Sequence, residues 1–370
     1  MARKLSSDKV LFATLVALSL FGCVMIYSAS AVSAAETAGS PYRYLLKQVA
    51  ALVAGGIAAF VVYRIDYRFF AHPVAVYGLY AGAFALCIAA LFHPPINAAR
   101  RWIPLGPVML QPSELLKIGL VLVLASQIAR KTQGSGDPEH ALVPALTLTA
   151  LAAGVVVIEP DLGTATCYVI LCAVMMWLAG VRARFFWLVG AAIIPLIAGF
   201  VLSAGYRRSR LLTFLRPDAD PLGAGFQAIQ SLIAVGTGGL FGNGLGSGRQ
   251  KLFFLPYPHT DFIFAIVGEE LGFIGSLGVV LAFAVIAWRG FRAARRAPDP
   301  FAALLAAGAT CLLVVQAAIN ISVVLCLMPT KGIPLPFVSY GGSSLVASWI
   351  AGGLILNISQ HETESRELPG

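Results

Sequence analysis

The sequence is poor in charge and in histidine, and both shortages restrict the class of protein. Of its 370 residues only 12% are charged and five are His, whereas a soluble domain carries roughly 25% charged residues. The six cysteines all lie in apolar runs, without the spacing of a metal site or a disulfide framework. An ordinary soluble domain is therefore excluded, and the cysteines are interpreted as small core residues.

Apolar sequence is abundant instead, at 58% hydrophobic residues. Segments of about 20 residues, enough to cross the hydrocarbon core of a bilayer, predict an all-α polytopic membrane protein with ten transmembrane helices. The predicted spans are 10–31, 45–63, 73–92, 113–129, 141–158, 162–180, 186–204, 262–288, 301–327 and 341–357. The first exceeds the apolar core of a signal peptide, about 7–15 residues, so we interpret it as a retained helix.

The spans divide the chain into three predicted parts. These are a cytoplasmic N-terminus (1–9), a single transmembrane domain (10–357) and a cytoplasmic C-terminal tail (358–370). A large external loop, 205–261, separates helices 7 and 8. Lys and Arg in the short loops favour a cytoplasmic N-terminus, and ten spans return the C-terminus to the same side.

Many cations nevertheless fall on the predicted outer side. They are Arg43, Lys47, Arg100, Arg101, Lys117, Arg207, Arg208, Arg210, Arg216, Arg249, Lys251 and Lys331. Six of them lie in the external loop, 205–261, which is close to the length at which charge stops controlling translocation, so these cations can simply be tolerated. The alternative is that they bind an anionic substrate on the outer face, and charge alone leaves both open.

The external loop contains a structured segment, "GAGFQAIQSLIAVGTGGLFGNGLGSGRQ". Apolar residues at Phe226, Ile229 and Ile233 recur near helical spacing. They predict an interfacial or re-entrant helix followed by flexible glycine-rich backbone.

One carboxylate, Asp261, stands directly before an apolar span in "LFFLPYPHTDFIFAIVGEELGF". A helix cap suits its position. A general base acting on a hydroxyl suits a single carboxylate among external cations. Reasoning from the residues leaves both interpretations open.

Basic residues near the predicted outer face form further candidates. Glu114 and Lys117, three apart, share a helix face and are predicted to pair, with Ser113 as a cap. Lys117 lies a turn deep in an apolar span, which favours a role in a cavity. Arg101 beside Trp102 suggests a phosphate clamp, although Trp at that depth is usually an anchor.

A third anion-binding candidate is "PTKGIPLPFVSYGGSSL". It combines Lys331 with the hydroxyls of Ser339 and Ser343 at a helix start, where phosphate oxygens are favoured.

For the remaining acidic groups, an ordinary structural role is the alternative to a chemical one. Glu159 and Asp161 suit acid–base chemistry, but a polar turn between spans is the favoured interpretation. Asp218 and Asp220 form an Asp-x-Asp pattern typical of a divalent cation on a sugar diphosphate, yet turns before proline also favour Asp.

Glu269 and Glu270 lie within the predicted membrane segment, where an ionisable group needs a polar partner. We interpret them as structural, with Gln316 and Asn320 as candidate partners.

Four ordered motifs resemble one known family. They are "RRWIPLGPVMLQPSELLK", "GFQAIQSLIAVGTGGLFGNGLG", "KLFFLPYPHTDFIFAIVGEELG" and "PTKGIPLPFVSYGGSS". They resemble the signature segments of the SEDS family (shape, elongation, division and sporulation), and "TKG" before "PLPF" is similar to its division branch.

The resemblance implies an inverting glycosyltransferase that polymerises lipid II into glycan strands on the outer face of the bacterial cytoplasmic membrane, at the division septum. Alternatives are a lipid II flippase and an elongation-type polymerase. Implied partners are a class B penicillin-binding protein, other divisome membrane proteins, lipid II and undecaprenyl pyrophosphate, with no nucleic acid. The resemblance establishes no cofactor, and a divalent cation, Mg²⁺ or Mn²⁺, is the open alternative.

Residue roles follow from the same resemblance. Asp261 is the implied catalytic base, and the implied substrate-binding residues are Arg101, Trp102, Glu114, Lys117, Lys331, Ser339 and Ser343. One departure is "LPYPHTDF", where Tyr257 and Pro258 replace the usual pattern with Glu after "LP". If that glutamate aids binding or ion capture in the family, this protein must do so without it.

Overall fold

The chain folds into a bundle of helices. The computed structural model describes residues 7–96, 99–106, 108–202, 205, 214, 225–252, 255–256, 258–329 and 332–361. The α-helices in these ranges are α1 (Lys9–Ala38), α2 (Arg43–Arg64), α3 (Pro73–Ala90), α4 (Pro112–Ser135), α5 (Leu142–Ile158), α6 (Leu162–Leu178), α7 (Ala183–Leu202), α8 (Phe226–Thr237), α9 (Ile263–Arg295), α10 (Pro300–Val324) and α11 (Gly342–Ser359). A short antiparallel hairpin, β1 (Ile103–Leu105) and β2 (Val108–Leu110), pairs Ile103 with Leu110.

A helix lies in each of the ten predicted spans, and the all-α membrane architecture is confirmed. In the described part of the chain, eight helices are long and apolar enough to cross a membrane by length and composition. Helix α6 is shorter, at 17 residues, so the count of ten crossings stays a prediction. The amphipathic segment of the external loop forms α8, as its spacing predicts.

The core is built around α4, α10 and α11. In their most apolar windows 89%, 72% and 78% of the residues are buried inside the protein, compared with 17% in α2. Helix α11 packs on α2, whereas α10 packs on both α9 and α4. A polar side chain on α4 or α10 therefore faces other helices, and it must find a partner there.

The glycine-rich segment after α8 is packed against α9, and the expectation of flexible backbone there is wrong. A Cβ at Gly238 would lie 1.8 Å from Gly268 O, and one at Gly242 would lie 2.1 Å from Glu270 O. Helix α9 is interrupted at Gly272, which has φ 65°, a left-handed conformation that glycine adopts readily.

The break in α9 is compensated by the same segment. The backbone N–H of Phe273 donates to Gly239 O at 2.9 Å, and that of Ile274 donates to Leu240 O at 3.2 Å. Irregular backbone at membrane depth requires such partners, because lipid offers none.

The start of α4 differs from the sequence prediction. Pro112 is the first residue of α4 and Gln111 precedes it, so Ser113 is not the cap. The Ser113 hydroxyl instead accepts a hydrogen bond from Gln111 Nε2 at 3.2 Å.

The end of the bundle opposite the hairpin is tied together by Asn357 of α11. Its side-chain amide donates to the carbonyls of Val62, Tyr63 and Ile65 at 2.7, 3.2 and 2.5 Å. The amide thereby supplies donors where α2 ends and has no continuing helical turn.

Candidate active site

The segment before α9 is anchored through its backbone carbonyls to the turn before α11. Tyr340 N donates to His259 O at 2.9 Å, and the Ser339 hydroxyl donates to Thr260 O at 2.6 Å. The Ser339 oxygen also accepts from Leu335 N at 2.8 Å. Ser339 therefore ties the segment that carries Asp261 to the 332–340 turn.

Asp261 has a carboxylate that is not used as a helix cap. Phe262 occupies the cap position of α9 without a side-chain cap bond, and within the described residues no hydrogen bond to the Asp261 carboxylate is formed. The 332–340 turn passes very close, because a Cβ at Gly332 would lie 2.9 Å from Asp261 Oδ2. The capping interpretation is therefore not supported.

The surroundings of Asp261 favour its protonated form more than water does. Although part of the residue's surface is accessible, burial of the carboxyl raises its pKa to about 6. The nearby Arg101 lowers this pKa and the nearby Asp161 raises it. A carboxylate with a pKa close to neutral pH is suited to accept a proton in catalysis.

Arg101 is held towards this carboxylate by Asp161. Arg101 Nη1 lies 3.2 Å from Asp161 Oδ2, and the guanidinium lies over the Trp102 ring at 5.8 Å. Asp161 also caps α6, since it accepts from both the backbone N–H and the hydroxyl of Thr164 at 3.0 Å. Arg101 Nε is buried and has no hydrogen-bond partner in the described ranges.

Asp161 therefore does more than form the polar turn that the sequence favours, because it also holds Arg101 and caps α6. Its neighbour Glu159 is fully buried, and neither carboxyl oxygen has a hydrogen-bond partner within the described structure, although the Cys87 thiol lies nearby. Burial, with the Asp161 charge, raises the pKa of Glu159 to about 8. Glu159 is therefore mainly uncharged at neutral pH, whereas Asp161 forms the ion pair with Arg101.

Glu114 and Lys117 form the predicted ion pair. Lys117 Nζ lies 2.7 Å from Glu114 Oε1, and both side chains are almost fully buried. A second partner comes from α10, since Lys117 Nζ donates to Gln316 Oε1 at 3.1 Å. Pairing and hydrogen bonding together make a buried ammonium tolerable.

Ser343 connects the start of α11 to the hairpin. Its hydroxyl accepts from Gln111 N at 2.9 Å and donates to Met109 O at 3.2 Å. The Ser339 and Ser343 hydroxyls both bind protein backbone, and their binding of substrate stays a prediction.

Some predicted groups lie outside the described residues. They are Lys331, Asp218, Asp220 and Tyr257. Among the residues that are described, no group of three or more His, Cys, Asp or Glu side chains is arranged to hold a metal ion. A requirement for Mg²⁺ or Mn²⁺ stays a prediction.

His259 is neutral in this environment. Its ring packs against Tyr44 at 4.5 Å and Tyr340 at 5.5 Å between centroids. Burial lowers its pKa to about 4, so His259 does not add a positive charge beside Asp261.

The predicted partners of Glu269 and Glu270 are wrong. Glu269 accepts from the backbone N–H groups of Arg249 and Gln250, at 2.6 and 3.2 Å. Glu270 pairs with Lys251 at 2.7 Å. The two glutamates hold the glycine-rich segment, which supports the structural role but not the partners proposed for it.

Gln316 and Asn320 of α10 instead donate hydrogen bonds to backbone carbonyls at and near Asp261. Asn320 Nδ2 donates to Asp261 O at 2.8 Å and to Ile333 O at 2.7 Å. Gln316 Nε2 donates to Pro334 O at 2.9 Å. Sequence reasoning missed this function; the available signal was two amides four residues apart in an apolar span, which share one helix face.

These contacts link the backbone of Asp261 to Lys117 through the 332–335 segment, and Arg101 lies near the Asp261 carboxylate. Asp261 can accept a proton, Arg101 Nε has no acceptor among the described residues, and Lys117 is a buried cation held by α4 and α10. A fixed positive charge near a proton acceptor suits a reaction in which a hydroxyl attacks and an anion leaves.

Comparison with known proteins identifies the family. The model of the FtsW, RodA and SpoVE family, described as cell cycle protein, matches residues 8–364. The chain belongs to this family, the SEDS proteins, and the resemblance of its motifs is confirmed.

Individual relatives cover nearly the whole chain. Stage V sporulation protein E of Bacillus subtilis is 41% identical over 366 residues, 97% of this chain and 98% of the relative. The probable peptidoglycan glycosyltransferase FtsW of Trichlorobacter lovleyi is 40% identical over 354 residues, 95% of this chain and 93% of the relative.

Two solved structures share the fold. A chain from a peptidoglycan synthase complex, described for its coordination of polymerization and crosslinking, has a TM-score of 0.76 and 32% identity, with 96% of this chain and 98% of that chain covered. The rod shape determining protein RodA of Thermus thermophilus has a TM-score of 0.69 and 28% identity, with 98% and 99% covered.

Proposed function

We propose that this protein is a peptidoglycan glycosyltransferase that polymerises lipid II. The carboxylate of Asp261 carries this proposal: it has no hydrogen-bond donor within the described structure, and a cation, Arg101, lies near it. The names of the relatives and the synthase complex among the structural neighbours support the same activity.

The reaction joins two lipid-linked sugars. The acceptor sugar hydroxyl attacks the anomeric carbon of the donor, and its proton passes to the Asp261 carboxylate. A carbon–oxygen bond forms while the bond from the anomeric carbon to the pyrophosphate oxygen breaks. Attack from the opposite face inverts the α linkage to a β linkage, and the lipid pyrophosphate leaves as an anion.

The basic residues stabilise the leaving group. Arg101 has its Nε unpaired among the described residues, and Lys117 is held in place by Glu114 and Gln316. Preorganised charges of this kind cost little rearrangement during the reaction. Lys331, next to Gly332 in sequence, is the third proposed contact to the pyrophosphate.

The proposed setting is the outer face of the bacterial cytoplasmic membrane at the division septum, with both termini in the cytoplasm. A class B penicillin-binding protein is the proposed transpeptidase partner, alongside other divisome proteins. The FtsW-named relatives favour the division role over the elongation role. A requirement for Mg²⁺ or Mn²⁺ is left to the assay.

The test is polymerisation of purified lipid II by the purified protein in detergent. The assay is run with and without the cognate transpeptidase, and with Mg²⁺, Mn²⁺ or a chelator. We expect glycan strands in at least the reaction that contains the partner. Lipid II movement across reconstituted vesicles, with no polymer formed under any condition, would contradict the proposal and favour a flippase.

A further inference from the structure

Asn320 occupies an unusual position between two segments that face the proposed reaction. Its side chain is 1% exposed, and its amide NH₂ group has two protons to donate. One goes to the carbonyl of Asp261 at 2.8 Å and the other to the carbonyl of Ile333 at 2.7 Å. A single side chain therefore joins the backbone of the proposed base to the segment passing beside its carboxylate.

That second segment is close to the Asp261 carboxylate. Gly332 precedes Ile333, and a Cβ at Gly332 would already lie 2.9 Å from Asp261 Oδ2. A displacement of a few tenths of an ångström between the segments therefore changes the space around the reacting oxygen. The amide of Asn320 opposes such a displacement, because both carbonyls lose their donor if the segments separate.

Gln316 lies one turn earlier on the same face of α10 and also holds a backbone carbonyl of this segment. Its Nε2 donates to Pro334 O at 2.9 Å, while its Oε1 accepts from Lys117 Nζ at 3.1 Å. The consecutive carbonyls of Ile333 and Pro334 are thus held by two amides of one helix. Through these contacts the position of Asp261 is linked to that of Lys117.

We propose that Asn320 is a positioning residue for the glycosyl transfer, which aligns the Asp261 carboxylate with the 332–335 segment, and that Gln316 extends this alignment to Lys117. The inference rests on the proposed function of Asp261. Misplacement of a reacting group by about 1 Å can reduce a rate about 100-fold, so loss of the alignment should reduce turnover more than substrate binding.

The principal variant is Asn320→Leu, which keeps the number of side-chain heavy atoms and the branch at Cγ and removes both donors. We expect kcat to fall roughly 10- to 100-fold, with KM changed less than about threefold. The acidic limb of the pH–rate profile should move to lower pH, because a loosened segment admits water to the Asp261 carboxylate and reduces the effect of burial.

Asn357 provides a matched control at the other end of the bundle. It is also 1% exposed, its amide also donates to backbone carbonyls, and its Oδ1, like that of Asn320, has no partner in the described structure. Asn357→Leu should lower the midpoint of thermal unfolding by a similar amount and leave kcat per folded molecule and the pH profile unchanged.

Asn320→Ser provides a second variant if the leucine variant is poorly folded. Serine retains one hydroxyl donor, so we expect a kcat between those of the wild type and Asn320→Leu. Wild-type kcat in a folded Asn320→Leu protein would overturn the proposal, as would equal losses of kcat in Asn320→Leu and Asn357→Leu. Failure of both Asn320 variants to fold, with Asn357→Leu folded, would assign Asn320 to stability alone.

Asp261→Asn in the same assay separates the two levels of inference. If Asp261→Asn polymerises lipid II at the wild-type rate, the proposed function of Asp261 is wrong and the positioning role is wrong with it. If Asp261→Asn is inactive while Asn320→Leu has the wild-type kcat and pH profile, only the positioning proposal fails.

Discussion

Asp261 and the two glutamates of α9, Glu269 and Glu270, lie within ten residues of each other. Their carboxylates differ in the hydrogen-bond donors that surround them. Glu269 accepts from two backbone N–H groups. Glu270 accepts from Lys251 at 2.7 Å and from the Ser28 hydroxyl at 2.6 Å. For Asp261, by contrast, only the backbone carbonyl has a donor within the described residues.

The difference shows how acidic groups of one type acquire separate roles. Donors that surround a carboxylate stabilise its charge and restrict its movement, as at Glu269 and Glu270, which suits a structural tie. At Asp261, burial raises the pKa although Arg101 lowers it. A carboxylate of this kind, with no hydrogen-bond donor among the described residues, can exchange a proton. The comparison therefore assigns a structural role to Glu269 and Glu270 and a catalytic role to Asp261.

The largest expected effect comes from Asp261→Asn. The amide keeps the shape but cannot accept the proton, so glycan polymerisation should fall by at least about 100-fold. The midpoint of thermal unfolding should stay the same or rise slightly, because a buried charge is removed. Polymerisation near the wild-type rate would place Asp261 with the structural acids.

Glu270→Gln should reduce stability much more than turnover, because it leaves the buried ammonium of Lys251 without its carboxylate. Breaking a buried pair in this way costs about 3–5 kcal/mol, so thermal or denaturant unfolding should show a large loss of stability. Turnover per folded molecule should change much less than in Asp261→Asn. The double variant Glu270→Gln, Lys251→Met is the control and should recover part of the stability, since no unpaired charge remains.

The pH dependence sharpens the comparison further. A base must be deprotonated, and the pKa of Asp261 is about 6, so kcat/KM should fall about tenfold per pH unit below that value. The raised pKa means that the folded state binds this proton more tightly than the unfolded state. As pH falls through about 6, Asp261 therefore contributes increasing stability while activity is lost. An acidic limb near pH 4 in the wild type would show that burial does not control this group.

The smallest effect is expected for Glu269→Gln. Glutamine Oε1 can still accept from the backbone N–H groups of Arg249 and Gln250, so the cost should be about 1 kcal/mol or less. Polymerisation in detergent should be unchanged. Specific loss of lipid II transport in reconstituted vesicles, with polymerisation intact, would instead indicate a titrating relay and would break the comparison.

Much of the site was visible in the sequence because its signals are local. The Glu114–Lys117 pair follows from spacing on one helix, and the position of Asp261 directly before an apolar span raised the question of its function. The partners of Glu269 were not predictable in this way. They come from a segment about 20 residues earlier, and periodicity shows which face of a helix is polar but not which backbone packs on it.

By itself, the amino-acid sequence determined the helical membrane architecture, the family and the set of chemically capable residues, because hydropathy, helical period and motif order are properties of adjacent residues. The tertiary structure alone decided that Asp161 holds Arg101, that Gln316 and Asn320 serve the Asp261 region, and that glycines 238, 242 and 272 permit close backbone packing. These outcomes depend on which helices meet. A buried polar group must take its partner from whatever element packs against it.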